Sequence, residues 1–446
     1  MFKTLQNAWK IPELKKKLLF TLLIIVLYRL GANIPVPYVS PDVVQGMMAQ
    51  NKGTILDFFN TLSGGALAQA TLFALGVSPY ITASIVVQLL TVVFTKLQEW
   101  SRDEEGKKKI NTLTRLITVA LALITSIGYV GLLERGNGYA SWLSVEPKFF
   151  HYMVLVACYC AGAALVMWLA EQINGSGIGN GISIILFANI VASAPSLVMS
   201  LWSNLTLNGS KLDVFGLVAS IGQLLLLVGM LILIVWMSDA ERRIPIQYAK
   251  RVVGRKMYGG QNSNLPIKVN MSGVMPIIFA NSIVMILPTI AQFTAARTPK
   301  FSTFVNKYLG HTSWPYFFAF LLLLVAFAFF YISISFNPVE VANNIKNNGG
   351  AIPGIRSGRP TVDFIKKVLN RVTLVGALLI AVIACVPMLI TNVVSMEIIN
   401  HGYYASYFSA LAFGGSSMMI VVGVALETVR ELEAQMSLRN YKGFLD

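Results

Sequence analysis

Apolar residues in this chain gather in long blocks separated by short polar clusters, a pattern unlike strand alternation or the narrow stripe of a surface helix. Ten blocks read as membrane-crossing helices, at about 18–34, 76–95, 115–133, 149–170, 181–201, 213–237, 271–292, 314–336, 370–391 and 404–427. The expected fold is therefore all-α, a polytopic membrane protein of ten transmembrane helices. Five blocks precede the polar stretch 203–213 and five follow it. An odd number per half makes the second half enter the membrane from the opposite side, which is the arithmetic of an inverted repeat. The predicted halves are residues 1–202 and 203–446.

One apolar passage, over 54–95, does not read as a single plain crossing. Its first part is rich in small residues, with Ser63, Gly64, Gly65, Ala66, Leu67 and Ala68 in a row. As a helix over about 61–72 it supplies only ~15 Å at 1.5 Å per residue, half of a ~30 Å hydrocarbon core. Residues 76–94 are expected to make the full crossing, with Pro79 in a first turn that needs no amide proton. Chain that folds back at membrane depth is tolerated only where protein or a water-filled cavity surrounds it. The passage therefore implies an internal cavity holding a short re-entrant segment, about 57–75.

Composition agrees with a membrane protein. Of 446 residues, 55% are hydrophobic and 12% charged, and the mean hydropathy is +0.65. A net charge of +15 would suit a nucleic-acid binder, but its placement points elsewhere. With the N-terminus cytoplasmic, twenty-seven lysines and arginines fall on that side against seven outside, and Arg29 lies within the first span. That bias puts both termini in the cytoplasm. Lys15, Lys16 and Lys17 before an apolar run resemble the start of a secretory signal. No small-x-small cleavage site follows and nine more spans do, so an uncleaved first helix is expected. Cys158, Cys160 and Cys385 lie within spans, the first two on different faces of one helix, and read as buried thiols without a disulfide.

The connections differ in character. The mixed charge run over 96–115 reads as a solvated loop. Between the fourth and fifth spans, Gly175-Ser-Gly-Ile-Gly-Asn-Gly181 lacks the spacing of a dinucleotide loop, and no phosphate-binding Gly-x-x-x-x-Gly-Lys motif occurs. A tight turn between helices is expected there. Two long cytoplasmic segments follow, about 238–270 and 337–371. In the first, alternating branched and aromatic residues around Gly254 predict a β-ribbon with Arg255 and Lys256 near its tip, after Arg242 and Arg243. In the second, a Pro- and Gly-rich turn presents Arg356 and Arg359. Two readings stand for these arginines: docking of an anionic or large partner, or charge that merely sets topology.

Catalysis finds little support. No His-Glu-x-x-His or Gly-x-Ser-x-Gly motif occurs, and His151, His311 and His401 fall near span ends or in external loops. Neither a metal nor another cofactor is expected. A secondary solute transporter built from an inverted repeat is the serious rival, yet ion-coupled carriers place ionisable groups at mid-membrane. Here Arg29, Glu171 and Glu427 sit at span ends, and the mid-span polar residues are neutral, such as Gln88, Asn189, Gln223 and Asn281. Ile81 and Ile85 are one helical turn apart in the second span, as are Leu186 and Ile190 in the fifth. Such pairs fit ordinary helix packing or an apolar neck. A narrow neck of branched aliphatics dewets and has no chemical preference for cargo, which suits an extended polymer.

Several motifs, in order along nearly the whole chain, resemble the SecY family, the channel subunits of the bacterial general protein-secretion translocase. They include Ser63-Gly-Gly-Ala-Leu, Ala74-Leu-Gly-Val-Ser-Pro-Tyr-Ile-Thr-Ala-Ser-Ile, Gly177-Ile-Gly-Asn-Gly-Ile-Ser, Arg242-Arg-Ile-Pro-Ile-Gln-Tyr-Ala-Lys-Arg and Ile352-Pro-Gly-Ile-Arg. The resemblance implies two inverted five-helix halves around an hourglass pore, with the re-entrant segment as a plug helix. It implies a pore ring of Ile81, Ile85, Leu186, Ile190, Ile278 and Ile420, and a lateral gate between the second and seventh spans. Arg242, Arg243, Arg255, Lys256, Arg356 and Arg359 would face the SecA motor or the ribosome, and SecE and SecG would complete the complex. The implied function is passage of unfolded, signal-bearing polypeptides across a bacterial plasma membrane, with apolar segments released sideways into lipid. Ser176 departs from the pattern, since relatives often carry Arg before Gly177-Ile-Gly-Asn-Gly; no charge contact is implied at that turn.

Overall fold

A computed structural model describes residues 2–50, 55–135, 148–205, 214–248, 251–253, 256–258, 262–294, 298–310, 313–395 and 414–442. The first half holds α1 (Phe2–Lys10), α2 (Pro12–Gly31), α3 (Pro41–Gln50), α4 (Ile55–Leu62), α5 (Ser78–Val93), α6 (Thr95–Arg102), α7 (Glu104–Arg135), α8 (Lys148–Ser176) and α9 (Gly181–Leu205). Next come α10 (Val214–Asp239) and the strands β1 (Glu241–Tyr248), β2 (Arg251–Val253), β3 (Lys256–Tyr258) and β4 (Asn262–Lys268). The chain continues through α11 (Met275–Thr294), α12 (Pro299–Leu309), α13 (Trp314–Ser335), α14 (Pro338–Asn347), β5 (Gly350–Ala351), α15 (Arg359–Ser395) and α16 (Gly414–Lys442).

Each predicted span has its helix among the described residues: α2, α5, α7 to α11, α13, α15 and α16. By length and composition alone, five described helices could cross a membrane, and the pair α5–α6, bent by 111°, adds a sixth. Residues 404–413 of the last predicted span lie outside the described residues. A single apolar cluster draws side chains from α2, α5, α8 to α11, α13, α15 and α16. Many outward residues of these helices are also apolar, among them Leu22, Leu116, Leu225 and Leu322. A helix apolar all round is what a lipid surround selects.

Three expectations need correction. The re-entrant helix does not run over 61–72: α4 ends at Leu62, and 63–77 is a series of turns with one bridge, Pro35 to Thr71. The cause is local, because Gly64, Gly65, Ala70 and Gly76 have φ of 67°, 89°, 47° and 53°, values no right-handed helix accepts. The full crossing expected over 76–94 is a helix of 16 residues, about 24 Å long. The charge run over 96–115 is helical, not a loop. Glu104 and Glu105 occupy the first turn of α7, where the helix dipole favours acids, and Lys96 and Lys109 sit over the Trp100 ring at 6.0 and 5.7 Å.

The glycine string does form a tight turn. Gly179 has φ 82°, and a Cβ on Gly181 would strike the Ala170 carbonyl. Asn174 Oδ1 accepts the Gly181 amide at 2.7 Å, and Asn180 Oδ1 that of Ile182 at 3.1 Å. Ser176 is the last residue of α8.

The two long loops build more than a ribbon. β2 pairs antiparallel with β3, from Arg251–Tyr258 to Val253–Lys256, as the alternation predicts, while the expected tip at Gly254 and Arg255 lies outside the described residues. The outer strands β1 and β4 pair antiparallel from Glu241–Lys268 to Gln247–Asn262. β5, from the second loop, then joins β1 through Gln247–Ala351 and Tyr248–Gly350. Ile244, Ile246, Ile267, Ile352, Ile365 and Leu369 form a separate apolar core beneath this platform.

Candidate functional site, an apolar constriction

Pro79 sits in the first turn of α5 and, lacking an amide proton, costs that helix start nothing. From there Ile81 and Ile85 project inward one turn apart. Leu186 and Ile190 come from α9, Ile278 from the first turn of α11 and Ile420 from α16. All six are at most 8% exposed and belong to one apolar cluster. Ile81, Leu186, Ile278 and Ile420 also line one side of a cavity of about 440 Å³, between α4, α5, α7 and α11. Thr82, Thr125, Asn281 and Ser282 add neutral hydroxyls and an amide to its wall. Ile85 and Ile190 pack in the cluster behind it. Four helices, two from each half of the chain, thus bring six aliphatic side chains into one cluster beside a cavity with no charged group in its wall.

The turned segment 63–77 follows α4, whose Phe59 and Leu62 line the same cavity. Ser63, Ala66 and Leu67 are buried, and Gly64, Gly65 and Ala68 half-buried. Its own side chains shape it: Ser63 Oγ accepts the Leu67 amide at 3.1 Å, and Asn60 Oδ1 accepts that of Ala68 at 2.9 Å. Its far end pairs with the chain leaving α2, where the Val36 amide donates to the Ala70 carbonyl at 3.1 Å and the Leu72 amide to Ile34 at 2.9 Å. Phe73 stacks on Tyr28 with centroids 5.4 Å apart.

Three neighbouring helices hold the segment by its backbone. Asn189 of α9 donates through Nδ2 to the Leu62 carbonyl at 2.8 Å. Arg29 of α2 reaches the Gly64 carbonyl at 3.4 Å. Tyr129 of α7 donates to the Leu67 carbonyl at 2.8 Å. Sequence reasoning placed Arg29 at a span end and Asn189 among neutral polar residues, and gave Tyr28 and Tyr129 no role. The available signal was the presence of isolated polar groups in apolar helices, where an unmet donor is costly.

On the platform of β1, β4 and β5, Arg242 and Arg243 are exposed on β1, with Arg243 Nε 2.6 Å from Glu241 Oε1. Arg356 is exposed on the turn after β5, where Gly354 and Gly358 have φ of 79° and 108°, and Arg359 is exposed at the start of α15. The sheet brings these four arginines onto one module. Lys256 opens β3, while Arg255 lies outside the described residues.

Comparison with known proteins is consistent along the whole chain. The SecY family model matches residues 71–429. The protein translocase subunit SecY of Streptomyces coelicolor is 44% identical over 454 residues, covering 100% of both chains. That of Corynebacterium glutamicum is 41% identical, covering 98% of this chain and 99% of its own. Among solved structures, one of a protein-conducting channel superposes with a TM-score of 0.63 at 16% identity, covering 94% of this chain and 92% of that one. Sec61 in a canine ribosome–channel complex gives 0.60 at 15%, with the same coverage. At that identity the two structures establish the fold, and the full-length relatives and the family model establish descent: this chain belongs to the SecY family.

Proposed function

We propose that the chain is the protein-conducting channel of a bacterial secretion translocase, passing unfolded polypeptides across the plasma membrane and releasing apolar segments sideways into the bilayer. One observation supports this reading most: six aliphatic side chains from four helices are buried in one apolar cluster, four of them line one uncharged cavity, and a turned segment beside it is held by side-chain bonds to its backbone. A neck of Ile and Leu excludes water when narrow and flexes around any side chain threaded through it. The seated segment is the plug. Its three side-chain anchors are worth about 1 kcal/mol each, and with the buried Ala66, Leu67, Ala70 and Phe73 they set what partner or precursor binding must offset to unseat it.

The seam between α5 and α11, where the cavity opens, is the lateral exit. Residues 1–202 and 203–446 act as two halves that part along it. Both termini face the cytoplasm, where the platform of Arg242, Arg243, Arg356 and Arg359, with Arg255 and Lys256 at the ribbon tip, receives SecA or a ribosome. SecE and SecG complete the assembly, and the work of transport comes from the docked partner. A solute carrier, the rival reading, has no support from the relatives, which are translocase subunits.

Replacing Ile81, Ile85 and Ile190 by Ser should raise the resting ion conductance of reconstituted vesicles, and unchanged conductance would remove these residues from the seal. A stalled secretory precursor should crosslink to a cysteine placed at position 85. Failure of that crosslink, with the precursor bound, would return the solute-carrier reading.

A further inference from the structure

Both legs of the β1–β4 hairpin are held by one helix. The first leg leaves α10 at Asp239 and enters β1 at Glu241; the second leaves β4 at Lys268 and enters α11 at Met275. The legs touch where the Val269 amide donates to the Ala240 carbonyl at 2.9 Å. Arg430 of α16 grips the first leg, with Nη2 donating to the Ser238 carbonyl and lying 2.9 Å from Asp239 Oδ1. The Ser238 carbonyl belongs to the last turn of α10, whose outward carbonyls carry partial negative charge. Gly423, two turns earlier on α16, meets the second leg so closely that a Cβ there would overlap Val274. Lys268 lies within the same field: burial first, then the Arg430 charge, pushes its ammonium below the usual lysine range, with Glu241 and Asp239 opposing.

From these two grips the path to the neck is short. Ile420 is three residues before Gly423 on α16, and Ile278 is four residues after Val274. The hairpin root, α16 and the first turn of α11 therefore form one packed unit that carries two of the six ring residues. The geometry points to Arg430 as a positioning residue: by clamping the root of the cytoplasmic hairpin to α16, it passes the force of a docked partner to Ile278 and Ile420. This rests on the channel reading above. Arg suits the task because the two N–H donors of one planar, always-charged nitrogen, Nη2, serve a carbonyl and a carboxylate together, which a lysine ammonium on its flexible stem does less well.

The test uses the complete channel complex in proteoliposomes, with purified SecA, ATP and an unfolded precursor. Arg430→Gln should lower SecA-driven transport roughly tenfold, in the range of ordinary coupling between sites. SecA affinity and resting ion conductance should stay within twofold of the unaltered complex, and Arg430→Lys should recover a substantial part of the rate. If Arg430→Gln does not accumulate, Asp239→Asn, which keeps the Ser238 contact, carries the test with an expected severalfold loss. Full transport in these variants overturns the proposal. So does a parallel loss of SecA affinity, which makes Arg430 part of the docking surface, or a raised resting conductance, which makes it a structural support only. The serine replacements in the ring are run alongside: if they leave conductance unchanged, the channel reading fails independently of Arg430.

Discussion

Asn189 donates through Nδ2 to the phenol oxygen of Tyr28 at 2.8 Å, and the same nitrogen donates to the Leu62 carbonyl at 2.8 Å. One amide group from α9 thus ties the end of α4 to α2. Both residues are fully buried, so neither bond is exchanged with water at no cost. The tie is incomplete, because Asn189 Oδ1 has no hydrogen-bond partner among the described residues. On the proposed channel reading, a segment that leaves its seat gains from such a tie, firm enough to close and short of a fully satisfied network.

Replacing Asn189 by Leu deletes both donors while keeping volume. The Tyr28 bond joins α9 to α2 whether or not the segment is seated, so the seated state loses the Leu62 bond alone, about 1 kcal/mol, a shift of roughly fivefold toward the unseated segment. Resting halide efflux from vesicles should rise, and Tyr129→Phe, which removes the Leu67 tie, should raise it by a similar amount. Equal, unaltered efflux in both variants would show that these ties do not hold the plug.

Gly64 and Gly65 separate strain from crowding. Both have positive φ. A Cβ on Gly64 would stand 2.7 Å from Arg29 Nη1 and 2.9 Å from Asn189 Oδ1, whereas one on Gly65 meets nothing within 4 Å. Gly65→Ala should therefore cost only the left-handed penalty of about 1 kcal/mol. Gly64→Ala adds displacement of the Arg29 and Asn189 anchors and should leak more in the same efflux assay. If Gly65→Ala leaks as much as Gly64→Ala, the anchors contribute nothing beyond backbone strain.

The sequence was most legible where a property is local. Block length placed ten helices, and alternation around Gly254 placed β2 and β3. The glycines at 177, 179 and 181 marked a turn because their need is steric and nearby. The re-entrant segment was misread because apolar, small residues over 61–72 look helical, whereas Gly64 and Gly65 take positive φ in the structure and the helix stops at Leu62; a glycine permits that conformation without announcing it. Ties to a backbone carbonyl leave no mark on the acceptor residue, so Leu62, Leu67 and Ser238 gave no sign of their partners. The joining of β5 to β1 was likewise invisible, since Gly350 and Tyr248 are about a hundred residues apart. Motif resemblance, not periodicity, singled out the six ring residues from many equally apolar positions.

Ile267 lies at the centre of the platform core, fully buried on β4 among Ile244, Ile246 and Ile352. Cutting it to Ala should cost about 2–5 kcal/mol locally. Because this core is separate from the cluster that holds the ring, the damage should stay on the cytoplasmic side. Hydrogen exchange should quicken over 241–248 and 262–268, and ribosome affinity should fall, with resting conductance unchanged. A conductance rise would mean that the two cores are mechanically one.

Arg356 tests whether the platform's charge docks a partner or only sets topology. It is exposed, its side chain takes part in no salt bridge described among these residues, and it stands on a turn fixed by Gly354 and Gly358. Its carbonyl, not its guanidinium, accepts the Thr361 hydroxyl at 2.9 Å, so a change of side chain leaves the turn intact. One charge among the twenty-seven assigned to the cytoplasmic side alters topology little. Arg356→Glu should therefore leave expression, membrane insertion and resting conductance at their ordinary levels. If the arginine meets acidic groups on a docked motor, reversal replaces an attraction with a repulsion, an effect of several kcal/mol in like-charge contacts. SecA-driven transport should then drop by well over tenfold, and the deficit should shrink as salt rises and screens the repulsion. Normal transport at low salt would leave Arg356 with a topological role alone.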